Sequence, residues 1–518
     1  MRICLPYREA SGPAGRQPRT APTRKVSRAM SAAAAVGMAL ACGGLAASVA
    51  SGRPAVSAAQ SAALTAARVP SSPEVGMQDG WISRGGPLGS SVRGQGCDSN
   101  EENTDATPIP PPVFQATIPT AVDDGATWTN LKVHYERITV PWDIAYHHDH
   151  PVTVAGHPFD PNQVLDVEQA CLNYWLADIE AFNKAHPGLL VQPQVQFRPD
   201  YNHLGTGPAS GHVTTPSYQE YKAALYAFTR VYSCGASTSP QATCPTPADH
   251  TATPYPPGTS PRIPRVATIT PWGEPDFDVP GKPRPNGVQD GGYVYMPDGK
   301  SRLGEDTCGP KPDRTNCGPV LAAQMWVLAY HRCRNCTVIA GTFGSAMGKD
   351  RGYLAIYVHH LDGLRPRVWA IDDYTDVWLR YEQPCLDKKG RNASSCPIPS
   401  RQSTLLNAYS GWLHNNYHYT AADTRIWLGE ISVFNINSFD GHQHFGLTIE
   451  HHAADYLLKD LASPGAFTPP GAPQVQRLYY MRYEDGAGYP DFALVLDRNG
   501  QQASVPAYNA FRYRTNPR

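Results

Sequence analysis

Charge is scarce in this chain. Of 518 residues only 17% are Asp, Glu, Lys or Arg, and 44 basic residues against 45 acidic ones leave a formal net charge of −1. Without a basic surplus there is nothing to track a nucleic-acid backbone or an anionic membrane, so neither is expected as a partner. A Gly-rich phosphate loop, a dinucleotide-binding fingerprint and a Gly-x-Ser-x-Gly nucleophile elbow are also missing, as are internal repeats. A second Cys-x-x-Cys is lacking, which leaves Cys333-Arg-Asn-Cys336 without the other half of a zinc site and favours a structural bridge there. No metal and no organic cofactor is expected. What the chain has in plenty is proline, 50 residues, and glycine, 45 residues, a mix that suits long ordered loops in an extracellular protein.

The N-terminus reads as an export leader. Arg24, Lys25 and Arg28 precede an apolar run, 30–49, rich in Ala and Gly, and Val56-Ser57-Ala58 offers a cleavage site. The alternatives are a single membrane anchor, for which an Ala/Gly run is a weak span, and lipidation at Cys42, where Ala39-Leu40-Ala41 lacks Leu at the third position before the cysteine. Residues 1–58 are thus read as leader, 59–112 as a disordered Ala/Ser/Pro-rich linker, and 113–518 as one exported domain, expected to be monomeric. Beyond the leader no membrane contact is expected. Ten cysteines remain after the leader, an even number in an oxidising compartment, and they fall into close pairs at 234/244, 308/317, 333/336 and 385/396, with Cys97 and Cys171 left over.

Past the linker, short β-type runs alternate with longer amphipathic stretches. Strands are expected at 113–118, 134–140, 193–199, 266–271, 336–343, 367–371, 424–433 and 476–483. Helices are expected at 167–186, 218–232, 318–333, 352–361, 403–414 and 446–461. Alternation of this kind implies parallel strands with helical crossovers, and eight of them point to α/β architecture closed as a (β/α)8 TIM barrel.

In such a barrel the reactive groups stand at the C-terminal strand ends. Strand four ends in Trp272-Gly273-Glu274-Pro275 and strand seven holds Trp427-Leu428-Gly429-Glu430. Two facing carboxyls suit glycoside cleavage: one, protonated, helps the leaving oxygen depart while the other, ionised, attacks the anomeric carbon. Flanking indoles suit the apolar faces of sugar rings. Taken singly, a strand-end glutamate is more often a loop or salt-bridge residue. His442 and His444 follow strand seven and are candidates to line the cleft. Trp142 and Asp143 follow strand two, where they either form a subsite or, for Trp142, pack the barrel's upper layer. His451 and His452 read as surface residues.

The order of these motifs resembles the retaining (β/α)8 glycoside hydrolases whose catalytic glutamates lie on strands four and seven, and in particular the secreted glycosidase-like barrels of actinobacteria. The resemblance is carried by Arg137-Ile-Thr-Val-Pro-Trp-Asp143, Trp272-Gly-Glu-Pro275, Cys336-Thr-Val-Ile-Ala-Gly-Thr-Phe343, Trp369-Ala-Ile-Asp-Asp-Tyr374, Ile426-Trp-Leu-Gly-Glu430 and Arg477-Leu-Tyr-Tyr480. It implies Glu274 as acid/base, Glu430 as nucleophile, Tyr374 as a hydrogen-bond donor to the nucleophile, and Arg137 as the cation that neutralises its surroundings. It implies a carbohydrate substrate. The chain departs from the pattern at Gly273, where the family carries Asn, at Asp372, where it carries His, and at Thr342. Those departures keep open a second reading, a carbohydrate-binding barrel without turnover, and a third, a purely structural secreted protein.

Overall fold

Runs such as Arg425–Ile431 (RIWLGEI) and Gln474–Tyr480 (QVQRLYY) place bulky or β-branched residues at almost every position, as strands buried on both faces require. The computed structural model describes residues 72–78, 131–145, 172, 175–176, 179–198, 218–233, 243–245, 262–273, 275, 318–333, 335–344, 351–385, 396–433, 447–484, 493–498, 501–504 and 506–513. All of them lie in the unit formed by residues 67–518.

Nine strands form one parallel sheet: β1 (Glu74–Met77), β2 (Tyr135–Pro141), β3 (Gln192–Arg198), β6 (Thr268–Thr270), β7 (Thr337–Val338), β8 (Thr342–Phe343), β9 (Val368–Asp372), β10 (Arg425–Ile431) and β11 (Gln474–Tyr480). Between β3 and β6 a small antiparallel ribbon pairs β4 (Thr243–Pro245) with β5 (Arg262–Pro264). The order across the sheet is β7-β6-β3-β2-β1-β11-β10-β9-β8. Its two outermost members, β7 and β8, belong to one short segment. Thr337 N donates to Ala267 O (2.8 Å) and Ile339 N to Ile269 O (2.9 Å), on the β6 side. Ala340 N then donates to Val368 O (3.0 Å), and Gly341 O accepts from Ala370 N (3.1 Å), on the β9 side. The sheet curls until its edges meet in residues 337–343.

Helices α1 (Tyr218–Tyr232), α2 (Gly318–Arg332), α3 (Arg351–His359), α4 (Leu405–Tyr417) and α5 (Leu447–Asp455) stand between successive strands, and α6 (Pro506–Tyr513) follows them. Alternate strand residues meet this outer layer. Phe197 of β3 lies edge-on to Phe228 of α1, 4.8 Å between centroids, and Trp369 of β9 to Tyr357 of α3, 5.9 Å. The other alternate set fills the interior, where Tyr135, Ile339, Val368, Ala370, Trp427 and Tyr479 pack together. Arg477 joins them. Its guanidinium carbon lies 3.2 Å from the ring centroid of Tyr135 and 3.9 Å from that of Trp427, and Nη2 bonds Glu74 Oε2 at 2.7 Å.

Seven expected strands correspond to observed ones. Residues 113–118 lie outside the described residues, and the strand between β11 and β2 is β1, within the stretch read as linker. Four residues, EVGM, are too few to show a period, and a glycine is a poor strand signal. Its reason is packing: a Cβ on Gly76 would stand 2.5 Å from the ring of Tyr479. The helix expected at 446–461 begins as α5 and ends in a π-helical turn, Tyr456–Leu461. A further small sheet of β12 (Arg482–Glu484), β13 (Ala493–Arg498) and β14 (Gln501–Ser504) was not expected at all. Disulfides join Cys333 to Cys336 and Cys385 to Cys396, and Cys244 is also disulfide-bonded. Among the described residues no helix is long and apolar enough to cross a membrane.

Replacing Gly76 with Ala forces a methyl into the Tyr479 ring, so a loss of about 1–3 kcal/mol is expected. Urea denaturation should show a lower midpoint at constant slope. Gly188→Ala, where a Cβ meets nothing within 4 Å, is the control. Equal midpoints for the two variants would show that the ring does not occupy that space.

Candidate active site

Simple alternation along β10 would turn Trp427 and Gly429 inward and Glu430 out toward the helices. A bulge prevents this. Leu428 pairs with Ile371 and Glu430 with the next residue, Asp372. On the other edge Leu428 pairs with Leu478 and Ile431 with Tyr480. One extra residue is therefore inserted at 429–430, and such an insertion re-aims the side chain that follows. Gly429 permits it, because a Cβ there would lie 2.5 Å from Thr342 Cγ2 and 2.8 Å from Asp372 Oδ1.

Glu430 is thereby turned into the interior, 1% exposed, and three donors converge on its carboxylate. Arg137 Nη2 donates to Oε2 at 2.7 Å, Gln78 Nε2 donates to Oε2 at 3.0 Å, and Tyr374 Oη donates to Oε1 at 2.7 Å. An ionised carboxylate is an acceptor only, which matches this set of donors. Arg137 is fully buried on β2, so the pair is an ion pair removed from water. The backbone fixes the arrangement as well, since Asp373 N donates to Glu430 O at 3.1 Å. Tyr374 Oη also lies 2.7 Å from Met481 Sδ, so its single proton has two acceptors. Gln78, Tyr374 and Met481 all follow the C-terminal ends of their strands, and Glu430 is the penultimate residue of β10.

A polar layer crosses the interior beside this cluster. Thr342 Oγ1 and Gln196 Oε1 are 3.3 Å apart, and Gln194 Nε2 donates to Thr270 Oγ1 at 3.0 Å. Asp372 is 4% exposed and pairs in register with Glu430. Gly273 N donates to Phe197 O at 2.9 Å, and Gly273 forms a parallel bridge with Thr342.

Of the residues expected to carry chemistry, Arg137, Tyr374 and Glu430 are brought together by direct contact, and Asp372 stands in register beside Glu430. Glu274, His442 and His444 lie outside the described residues. Trp272 is buried, 5% exposed. Trp142 takes the packing alternative: it is 1% exposed, and its ring faces Tyr221 of α1 at 6.3 Å, in the layer between sheet and helix. His451 is a surface residue 3.8 Å from Asp455. Gln78, Gln196 and Met481 were missed. Gln78 sits in the segment read as linker and gave no signal. Gln196 was legible, because in PQVQFRP the two glutamines alternate with apolar residues and must share one face. Among the described residues no group of three or more His, Cys, Asp or Glu could hold a metal ion.

No protein-family model matches this sequence, and no curated protein matches it significantly. Among solved structures it is similar to a family 39 glycoside hydrolase from Bacteroides cellulosilyticus, at 12% identity over 75% of this chain and 60% of the other, TM-score 0.37. It is similar to a glucosidase from Croceicoccus marinus, at 12% identity over 79% and 65%, TM-score 0.41. A family 1 β-glucosidase from Thermotoga maritima is similar at 8% identity over 86% and 98%, TM-score 0.39. The chain spans less than two thirds of the length of the first two. At these scores the likenesses carry no functional weight, and the chemistry rests on the site itself.

The segment that delivers Tyr374 also holds a buried carboxyl pair. Asp373 is fully buried, and burial, reinforced by the neighbouring Asp376 charge, pushes its carboxyl well above the ordinary range. Its Oδ1 accepts from Asp376 N at 3.1 Å, while the Asp376 carboxylate accepts from Leu405 N (2.7 Å) and Leu406 N (2.9 Å) at the start of α4. A raised folded-state value means that the native chain keeps a proton the unfolded chain loses near about pH 4. The resulting stability is complete below that pH and fades as pH rises through the folded value. Asp373→Asn keeps the acceptor but has no proton to lose. Between pH 4 and pH 8 the melting temperature of the wild type should therefore fall relative to that of the variant. Parallel curves would remove Asp373 as the source.

Proposed function

We propose that the curled sheet is a (β/α)8 barrel, with 337–343 as a single fifth strand, and that the chain is an exported, monomeric, retaining O-glycoside hydrolase acting on a poly- or oligosaccharide. The observation that carries this reading is the bulge at Gly429, which turns Glu430 inward onto Arg137, Gln78 and Tyr374 at the C-terminal end of parallel strands. A carboxylate so held is aimed and cannot rotate away, which is what a nucleophile needs.

In the first step an oxygen of Glu430 bonds to the anomeric carbon as the bond from that carbon to the leaving oxygen breaks. Glu274, next in sequence after Gly273, gives its proton to the departing oxygen. Oε2 holds two donors and Oε1 one, so Oε1 is the attacking atom. In the second step water attacks the same carbon, Glu274 takes up its proton, and Glu430 is released as carboxylate. Arg137 and Gln78 hold Oε2 throughout. No metal or organic cofactor enters. Asp372, beside Glu430 in register, favours the second reading of a carbohydrate-binding barrel without turnover, because it adds like charge to the pair.

The test is a panel of 4-nitrophenyl glycosides and plant and microbial polysaccharides. Wild-type protein should cleave at least one, and 1H NMR should show the first-formed sugar with retained anomeric configuration. Glu430→Gln should lower kcat by at least about a thousandfold, the scale of deleting a group that acts in the transition state. Wild-type rates in that variant would remove Glu430 as nucleophile. Binding of a glycan by the intact protein without cleavage would favour the second reading.

A further inference from the structure

Gln196 is 1% exposed and stands on β3 across the interior from Glu430. Its carbonyl has a partner: Oε1 lies 3.3 Å from Thr342 Oγ1, which donates to it. With Oε1 on Thr342, the amide nitrogen faces Gly273. Its Nε2, with two N–H donors, has no hydrogen-bond partner among the described residues. A side-chain amide normally finds partners for its protons, from protein, water or ligand. The same nitrogen lies 2.4 Å from where a Cβ on Gly273 would stand, with the amide carbon at 2.5 Å. Residue 273 is therefore glycine because Gln196 occupies its side-chain space, against the backbone that leads into Glu274.

Thr342 ties this amide to the nucleophile's side of the barrel, since its methyl abuts Gly429, the bulge residue before Glu430. The unused donor pair therefore shares one polar layer with the held carboxylate. We propose that Gln196 Nε2 donates to a hydroxyl of the sugar ring bound over Glu430, and that Gln196 is a specificity-determining residue. The inference rests on the glycosidase reading and adds to it the requirement that the ring carry a hydroxyl at one defined position. A purely apolar ring would leave the donor unmet, whereas a hydroxyl oxygen accepts from it.

The test crosses the protein with its substrate. Wild type, Gln196→Leu and Gly273→Ala, whose added methyl displaces the amide, are each assayed on the best 4-nitrophenyl glycoside of the panel and on its monodeoxy analogues. In the wild type one deoxy position should lower kcat/KM about tenfold, the scale of one neutral hydrogen bond in the transition state. In both variants the parent glycoside should fall by a similar factor, and the penalty for that same deoxy position should vanish. A penalty that persists unchanged at every position in both variants overturns the role of Gln196 and leaves Glu430 untouched. Should the wild type cleave nothing, the glycosidase reading fails on its own, and Gln196 is judged by NMR. Saccharides of the panel that bind must shift the Gln196 side-chain amide signals, identified by their loss in Gln196→Leu. Binding without such a shift, or no binding at all, overturns the inference.

Discussion

A carboxylate removed from water needs a cation and donors, and the buried pair of Arg137 and Glu430 is the constraint on which the upper half of this curled sheet depends. The two groups come from strands that are not neighbours: β2 and β10 are separated by β1 and β11. Their contact therefore crosses the interior and fixes how the strands stand relative to one another. Leaving either charge alone in that place would cost several kcal/mol. The surroundings have accordingly been shaped to keep the pair together. Gln78 adds a second donor to the oxygen that Arg137 holds, and Tyr374 covers the other oxygen.

The glycines follow from the same constraint. Glu430 reaches the interior only through the bulge, and the bulge exists only because residue 429 has no Cβ to strike Thr342 and Asp372. Gly273 makes room for Gln196, and Gly76 for the ring of Tyr479, over which the Arg137 guanidinium lies at 5.9 Å from the centroid. None of these three positions needs a left-handed backbone. Each is small because a neighbouring side chain fills its space, so the loss of a methyl there is the reverse of a defect. The space that a side chain at 273 would take is used by one from the adjacent strand.

How much could be read beforehand follows from these particulars. The strands of the large sheet from β2 on were legible because each sits in a run of β-branched and aromatic residues, whereas the three-residue strands β4 and β5 gave no such run, and the grouping of Arg137, Tyr374 and Glu430 was what the family resemblance implied. β1 was not legible, since EVGM is shorter than any period and its identity as a strand depends on β2 and β11 pairing with it from opposite sides. Gln78 went with it. The bulge was invisible too: nothing in Trp-Leu-Gly-Glu says that one residue more than the ladder can accommodate has been inserted. Trp142 stayed open between the two readings because an indole after a strand suits a sugar and a helix equally, and only its neighbour Tyr221 decides.

Two of the buried arginines, Arg477 and Arg137, stand at different levels of the interior, and their surroundings differ. Arg477, toward the strand beginnings, is held on both faces by Tyr135 and Trp427, and its three nitrogens are taken up by Glu74 and Tyr479. Every nitrogen of that guanidinium is engaged. Arg137, toward the strand ends, gives Nη2 to Glu430, while its Nε and Nη1 have no hydrogen-bond partner among the described residues. The amide nitrogen of Gln196 is likewise without a hydrogen-bond partner among the described residues. A folded interior tolerates unmet donors only where something else is to meet them or where the strain is useful. The open nitrogens of Arg137 and Gln196 stand in the interior toward the strand ends, which is where the proposed sugar would find them, whereas the nitrogens of Arg477 are already engaged.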